Sequence, residues 1–379
     1  MPSQERWIEP RLAIIATGVV GIIVYGSLYP FEFYDNPDVH GPVRDLLATW
    51  RTPSNRDDAI ANILLYIPFG FFSVQSVRRL RTFILVLLVV FAGTALSVAL
   101  ELTQLYDLGR YSTLADVYAN TAGTLLGASA GGILRQEFSL MLAVGRPFVV
   151  LLLACWFGYQ LFPYLPVIGL NKYLTTIKPA VSAAALSRLD LYRHTINGLS
   201  IALMLEALFG RARSRLAILL LVPAVLFARI LIIGTVLSAA EVVGGVLAVV
   251  VWCALLSELQ IRAILVASAF AGVFVIQSLK QFRFGVTARA FGWIPFRSLM
   301  EGPLDVSIPS FFEKVFTYGT LIWLINRAGW SLSIATGLGG SLVLCMGLAQ
   351  VNLPGQSAEI TDLIILLILA VFIKLMAED

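Results

Sequence analysis

Runs of 16 to 20 apolar residues recur along this chain from Leu12 to Met376, with charge concentrated between them. A hydrocarbon core about 30 Å thick is crossed by roughly 20 residues of helix, so each run is long enough to be a span. In lipid the backbone finds no water to bond, and a helix satisfies its own N–H and C=O groups. The expected fold is therefore all-α and polytopic. Composition agrees: 13% of the 379 residues are charged, about half the usual share of a soluble domain, which is roughly 25%. The first run starts after Arg11 and reaches Tyr29 with no Ala-x-Ala cleavage pattern, so it reads as a retained helix. No soluble domain of any size is left over.

The net charge of +4 does not point to nucleic acid. Lys and Arg cluster beside apolar segments, as membrane anchors do, and no basic face with interleaved aromatics exists outside them. Cys155, Cys253 and Cys345 all lie inside apolar runs without metal spacing and read as small packing residues. His40 and His194 are isolated in sequence, and read as loop or interfacial residues. No metal centre and no cofactor is expected. The chain has no Gly-rich phosphate loop, nucleophile elbow or His-based triad.

Twelve spans are expected, at about 12–29, 59–77, 83–104, 113–133, 147–163, 191–209, 216–232, 236–256, 262–279, 309–325, 329–349 and 360–375. In groups of four they repeat a pattern. A first helix ends at an aromatic-flanked proline: Tyr29-Pro30-Phe31, Phe162-Pro163-Tyr164, then Ile294-Pro295-Phe296. A loop of about 30 residues follows, then a second helix and a junction carrying Arg78, Arg79 and Arg81, then Arg211, Arg213 and Arg215, then Arg327 alone. After the third helix Gln104, Gly109 and Asp116 keep the spacing of Arg229, Gly234 and Glu241 and of Gln350, Gly355 and Asp362. Such self-similarity marks a repeat architecture. Four helices per copy make the copies parallel, not inverted. The units are 1–140, 141–258 and 259–379.

Short loops set orientation. The junctions at 78–82, 134–146, 211–215 and 327 carry arginine, whereas 233–236 and 350–359 carry no Lys or Arg. Both termini are expected in the cytoplasm, with the long loops 31–57, 164–190 and 280–308 outside. Those loops are basic too, and they suit interfacial helices, as Phe282, Phe284, Phe291 and Trp293 suggest.

One polar constellation stands out. Glu101 and Gln104 share a face near the end of the third helix. Arg110 follows the turn, Asp116 and Asn120 lie one helical turn apart on the fourth helix, and Asn62 begins the second. A carboxylate in a membrane helix is costly unless paired or wet, so these are functional candidates. The stretch Asn62-Ile-Leu-Leu-Tyr-Ile-Pro68-Phe69-Gly70-Phe71, the pair Glu101 and Gln104, and the series Arg110, Asp116, Asn120, Gly123 and Gly127 resemble, in order and spacing, the motifs of the VanZ-like family. That family comprises integral membrane proteins associated with teicoplanin resistance. The match is best over 22–133, and Phe291-Gly-Trp-Ile-Pro295-Phe296-Arg297-Ser298 is a partial echo in the third unit. The resemblance implies a compartment and a phenotype, and makes Asn62, Glu101, Gln104, Arg110, Asp116 and Asn120 the family's polar signature. It names no reaction. In the other units Leu226 and Gly347 replace Glu101, Thr235 and Gln356 replace Arg110, and Gly245 and Leu366 replace Asn120.

Structural roles compete for the same residues. Thr113-Leu-Ala-Asp116 and Ser238-Ala-Ala-Glu241 fit the capping box at a helix start. Gly109, Gly234 and Gly355 suit a left-handed turn residue. Gly123, Gly127 and Gly131 share one face and suit close helix packing. Glu101 could pair with Arg110 or serve function. The expected function is a non-catalytic inner-membrane envelope protein whose outward polar site binds a lipid-linked glycan precursor or lipoglycopeptide. The alternatives are an intramembrane hydrolase or transferase with Glu101 as base and Asp116 as a second catalytic candidate, a transporter, and a scaffolding subunit among other membrane proteins. Membrane lipid is an expected partner throughout.

Overall fold

A computed structural model describes residues 8–52, 55–143, 146–181, 186–279, 290–351 and 358–376. Phe282, Phe284, Gly355 and Gln356 therefore lie outside the described residues. The described residues form α-helices and no β-strand. The chain divides into two compact units, Met1–Val144 and Gly145–Asp379. The first holds α1 (Pro10–Leu28), α2 (Pro42–Ala48), α3 (Arg56–Ser76), α4 (Thr82–Gln104), α5 (Leu114–Ile133) and α6 (Arg135–Ala143). The second holds α7 (Pro147–Gln160), α8 (Leu170–Ile177), α9 (Arg188–Phe209), α10 (Arg211–Leu231), α11 (Ala239–Ala254), α12 (Arg262–Ser278), α13 (Arg297–Glu301), α14 (Leu304–Arg327), α15 (Leu332–Gln350) and α16 (Thr361–Met376).

A helix stands at each of the twelve expected spans. Prolines in the first turn start α1, α2 and α7, where a missing N–H costs nothing. Thr113, Ser187, Ser238 and Ser331 cap α5, α9, α11 and α15 with their hydroxyls. The short helices α2, α8 and α13 fall inside the three long loops.

Among the described residues five helices are long and apolar enough to cross a membrane: α1, α3 from Asp58 onward, α4, α10 and α15. The remaining long helices fall short for visible reasons. α7, α11 and α12 have 14, 16 and 17 residues. α9 carries Arg188, Asp190, Arg193, His194 and Glu206, and α14 carries Asp305, Glu313, Lys314 and Arg327. α5 is rich in Gly, Ala, Thr and Asn.

Lipid is as apolar as leucine, so close packing and hydrogen bonds, not transfer from water, hold such helices together. In the first unit the closest contact is between α3 and α5, and it is made by glycine. A Cβ on Gly123 would stand 2.3 Å from the Ile63 carbonyl oxygen, and one on Gly127 2.0 Å from that of Ile67. Gly70 answers from α3, where a Cβ would meet the Thr124 carbonyl at 2.2 Å. The Gly123–Gly127–Gly131 face thus serves packing, as its spacing predicts. Ile23, Tyr66, Phe69, Val74, Leu85, Val89, Leu100 and Ala128 fill the core around it. In the second unit α11 approaches α9 likewise, since a Cβ on Gly244 would lie 2.7 Å from His194 Cβ. One continuous apolar core, from Phe148 to Ala370, joins α7, α9, α10, α11, α12, α14, α15 and α16.

The two ends of the first unit differ in chemistry. At one end Glu9 N donates to the Ser76 carbonyl, Arg78 pairs with Glu9, and Arg135 donates to the Val77 carbonyl. At the other, residues 32–36 lie along the 105–108 turn.

Overpacking a filled contact costs about 1–3 kcal/mol, and here the obstacle is backbone. Gly127→Ala is expected to lower the melting temperature of the detergent-solubilised protein clearly. Gly21→Ala, with nothing within 4 Å of the added methyl, is expected to leave it unchanged.

Candidate functional site

The candidate site is the end of the first unit where α1 and α4 finish and α3 and α5 begin. Each element arrives with unpaired backbone groups. α1 ends at Tyr29; the Tyr29–Pro30 bond is cis and Phe31 is left-handed, at φ 64°. The chain then runs antiparallel to the turn after α4: Leu108 N donates to Glu32 O and Tyr34 N to Tyr106 O, both at 2.9 Å. Glu32 N donates to Asp107 Oδ1, and Asn36 Nδ2 to Leu105 O. Gly109 reverses the turn at φ 81°, the left-handed geometry expected of it.

This turn delivers Arg110 to the end of α1. Its Nε donates to Tyr29 O at 2.9 Å and its Nη2 to Gly26 O at 3.0 Å, while Gln104 Nε2 donates to Ser27 O at 2.6 Å. The last carbonyls of a helix have no partner within it, and a cation there also suits the helix dipole. Arg110 and Gln104 therefore close α1. Nη1 of Arg110 has no hydrogen bond among the described residues.

The start of α5 is closed differently from that of α11. In α11 the box is reciprocal: Ser238 Oγ accepts from Glu241 N, and Glu241 Oε2 accepts from Ser238 N. In α5, Thr113 Oγ1 accepts from Asp116 N, but the Thr113 amide donates to Glu101 Oε2 at 2.9 Å. Asp116 instead accepts Thr113 Oγ1–H at 2.7 Å and Asn62 Nδ2 at 2.9 Å. The α4 carboxylate has taken the capping role that the acid of α11 performs for itself, and Asp116 is turned to tie α3 to α5.

Of the six expected residues, then, Asn62, Asp116 and Glu101 form one chain through Thr113. Gln104 and Arg110 turn to α1. Asn120, one turn below Asp116, donates from Nδ2 to Ser97 Oγ at 2.9 Å. The Glu101–Arg110 ion pair, one of the two expected uses of Glu101, is not made among the described residues; Glu101 holds a main-chain amide instead. Glu101 is only 4% exposed.

Residues that sequence reasoning passed over complete the site. Tyr66, Ser97 and Ser112 are buried beside Glu101 and Asn120. Tyr66 was hidden inside a run read as apolar span. At the rim, Phe31, Phe33, Tyr34, Trp50 and Tyr111 are exposed, Tyr111 at 89%. Thr49, next to Trp50, accepts the Leu114 amide at 2.8 Å, so the loop helix is fastened to the site.

The second unit carries ion pairs that are half-buried or deeper. Arg229 pairs with Glu241, donates from Nη1 to Gln160 Oε1 and from Nη2 to Val236 O. His194 lies beside Arg193, Arg229 and Glu241. Lys314 pairs with Asp362 at 2.6 Å, and Arg262 with Glu206. The signal was present: Arg229 and Glu241 stand twelve residues apart on either side of a tight turn, and opposite charges there form a pair.

The VanZ/LLP1 family model matches residues 12–135, the segment that carries every residue of the site. No curated protein and no solved structure matches the chain.

Removing one partner of a buried ion pair costs about 3–5 kcal/mol, because the other charge is left alone. Arg229→Met is expected to destabilise the second unit strongly in thermal melts. Arg229→Met with Glu241→Gln, which keeps the cap, is expected to recover much of the loss.

Proposed function

We propose that this membrane protein, VanZ-like over residues 12–135, resides in a bacterial cytoplasmic (inner) membrane and holds the polar part of an amphipathic envelope molecule at the Arg110 end of its first unit. The molecule is a lipid-linked glycan precursor or a lipoglycopeptide. One observation carries the reading. Arg110 is locked to α1 by Nε and Nη2 and keeps Nη1 in reserve, under a rim of exposed Phe31, Phe33, Trp50 and Tyr111. A guanidinium nitrogen suits pyrophosphate or carboxylate, and aromatic side chains settle at head-group level in a bilayer. Glu101 is better suited to shaping this site than to serving as a base for a bulky substrate, since it is buried and already accepts the Thr113 amide.

Orientation follows in the same reading. Arg78, Arg79, Arg81 and Arg135 gather at the end opposite Arg110, together with the start of α1. The positive-inside rule then puts that end, with the start of α1, on the cytoplasmic side, and an even number of spans would return the C-terminus to it. The ligand meets the protein from outside, which suits a role in cell-wall synthesis or glycopeptide resistance.

The rest of the chain is read as two further copies of the first unit, giving twelve spans in three parallel repeats, 1–140, 141–258 and 259–379. Several correspondences support this. Phe31, Tyr164 and Phe296, each just after the repeated proline, are all left-handed. Ile233 N donates to Leu165 O and Val167 N to Leu231 O, which reproduces the loop–turn pairing of Leu108 with Glu32 and Tyr34 with Tyr106. In the third copy Gly292 pairs with Ala358 and Ile360 instead. The copies lack the polar signature and serve as scaffold or as surfaces for other partners.

A photo-reactive residue at Tyr111, in native membranes supplied with a labelled lipid-linked precursor, is expected to yield an adduct. Arg110→Gln removes a charge-assisted bond of about 1.5–3 kcal/mol, so labelling is expected to fall roughly tenfold. The same probe at Phe83, exposed near the other end of α4, is expected to stay unlabelled. Equal labelling at both positions, or none at Tyr111, would end this reading.

A further inference from the structure

Beneath the rim lies a group of buried oxygens whose partners are missing. Glu101 reaches in from α4, Tyr66 from α3, Asn120 from α5 and Ser112 from the turn before it. They are 4%, 0%, 5% and 9% exposed. The Tyr66 hydroxyl faces Ser97 and Glu101, and Ser112 faces Glu101. Yet Tyr66 Oη and Ser112 Oγ stand outside good hydrogen-bond geometry to those neighbours, and Asn120 Oδ1 has no partner among the described residues. Buried polar atoms left so are uncommon and call for an occupant. Asn120 is oriented by its Nδ2 bond to Ser97, which leaves Oδ1 as the unpaired atom.

The chemistry of the set narrows the occupant. Every atom in want of a partner is an oxygen. Glu101 forms no ion pair among the described residues: its Oε2 takes the Thr113 amide, Asp116 stands close enough to repel it, and Arg110, which acts on it only from a distance, is held by Nε and Nη2 on α1 carbonyls. A buried carboxylate is costly unless its charge is met. One carboxylate with neutral hydroxyl and amide oxygens suits a hard cation of single charge. Divalent ions draw on several carboxylates and transition metals on His or Cys, and no three His, Cys, Asp or Glu side chains gather among the described residues.

We infer that Glu101, Tyr66, Ser112 and Asn120 form a binding site for one alkali-metal cation of sodium's size, buried between α3, α4 and α5. The ion would draw the three helices together at the depth where Asn62 and Asp116 also join them. This site is separate from the head-group contact at Arg110 and stands or falls without it.

The test uses the full chain in lipid nanodiscs, with radioactive sodium as probe and choline chloride holding ionic strength constant. Saturable binding of one sodium per chain is expected, with a rise in melting temperature that choline does not give. Tyr66→Phe and Ser112→Ala each delete one oxygen and keep the packing, so affinity is expected to fall roughly tenfold, the effect of losing one such contact to a charge. Glu101→Gln is expected to abolish binding. Absence of saturable binding would overturn the inference, as would binding that both Tyr66→Phe and Ser112→Ala leave unchanged. A melting temperature that responds to pH through Glu101 but not to sodium would assign the charge to a proton, and would overturn it equally.

Discussion

Lipid supplies no hydrogen bonds, so a helix that ends near it must have its last carbonyls and first amides closed by protein. In the first unit three helices meet this demand at one place. Arg110 and Gln104 close the end of α1, Thr113 begins α5, and Glu101 reaches from α4 to the Thr113 amide. Asn62 and Asp116 add α3. Polar residues that look, in sequence, like a binding constellation are first of all the means by which four helix ends share one interface. What they leave over, an arginine nitrogen and a buried carboxylate with unpaired oxygens around it, is what gives this end its chemistry.

The second unit meets the same demand with other residues. Ser238 and Glu241 form a complete box, so no acid from α10 is needed. Glu241 then also meets Arg229 from the end of α10. The contrast explains why the first unit keeps buried polar groups around a carboxylate and the second holds a closed ion pair. Where the cap is made within one helix, no carboxylate is drawn from the neighbour into the interior.

Much of this was legible beforehand. Apolar runs located a helix at each expected span, because length and hydropathy are properties of single segments. The left-handed turns at Gly109 and Gly234 and the packing face of Gly123, Gly127 and Gly131 followed from local rules. The capping partners did not. Thr113-Leu-Ala-Asp116 and Ser238-Ala-Ala-Glu241 share a pattern, yet only the second closes on itself. The first depends on where α4 sets Glu101, and that is a matter of tertiary packing, such as Gly93 of α4 against Thr124 of α5. Tyr66 was invisible for a related reason: within an apolar run, a tyrosine shows its hydroxyl only once its neighbours are known.

The claim on which this account rests is that the Glu101 carboxylate, and not Asp116, holds the amide that begins α5. Hydrogen–deuterium exchange on the full chain in nanodiscs reads this directly, through the peptide covering 108–116. The account predicts protection there in the native protein and in Glu101→Gln, whose amide oxygen still accepts. In Glu101→Ala that protection should be lost, while the corresponding peptide around Ser238 stays protected. Unchanged protection of 108–116 in Glu101→Ala would contradict it.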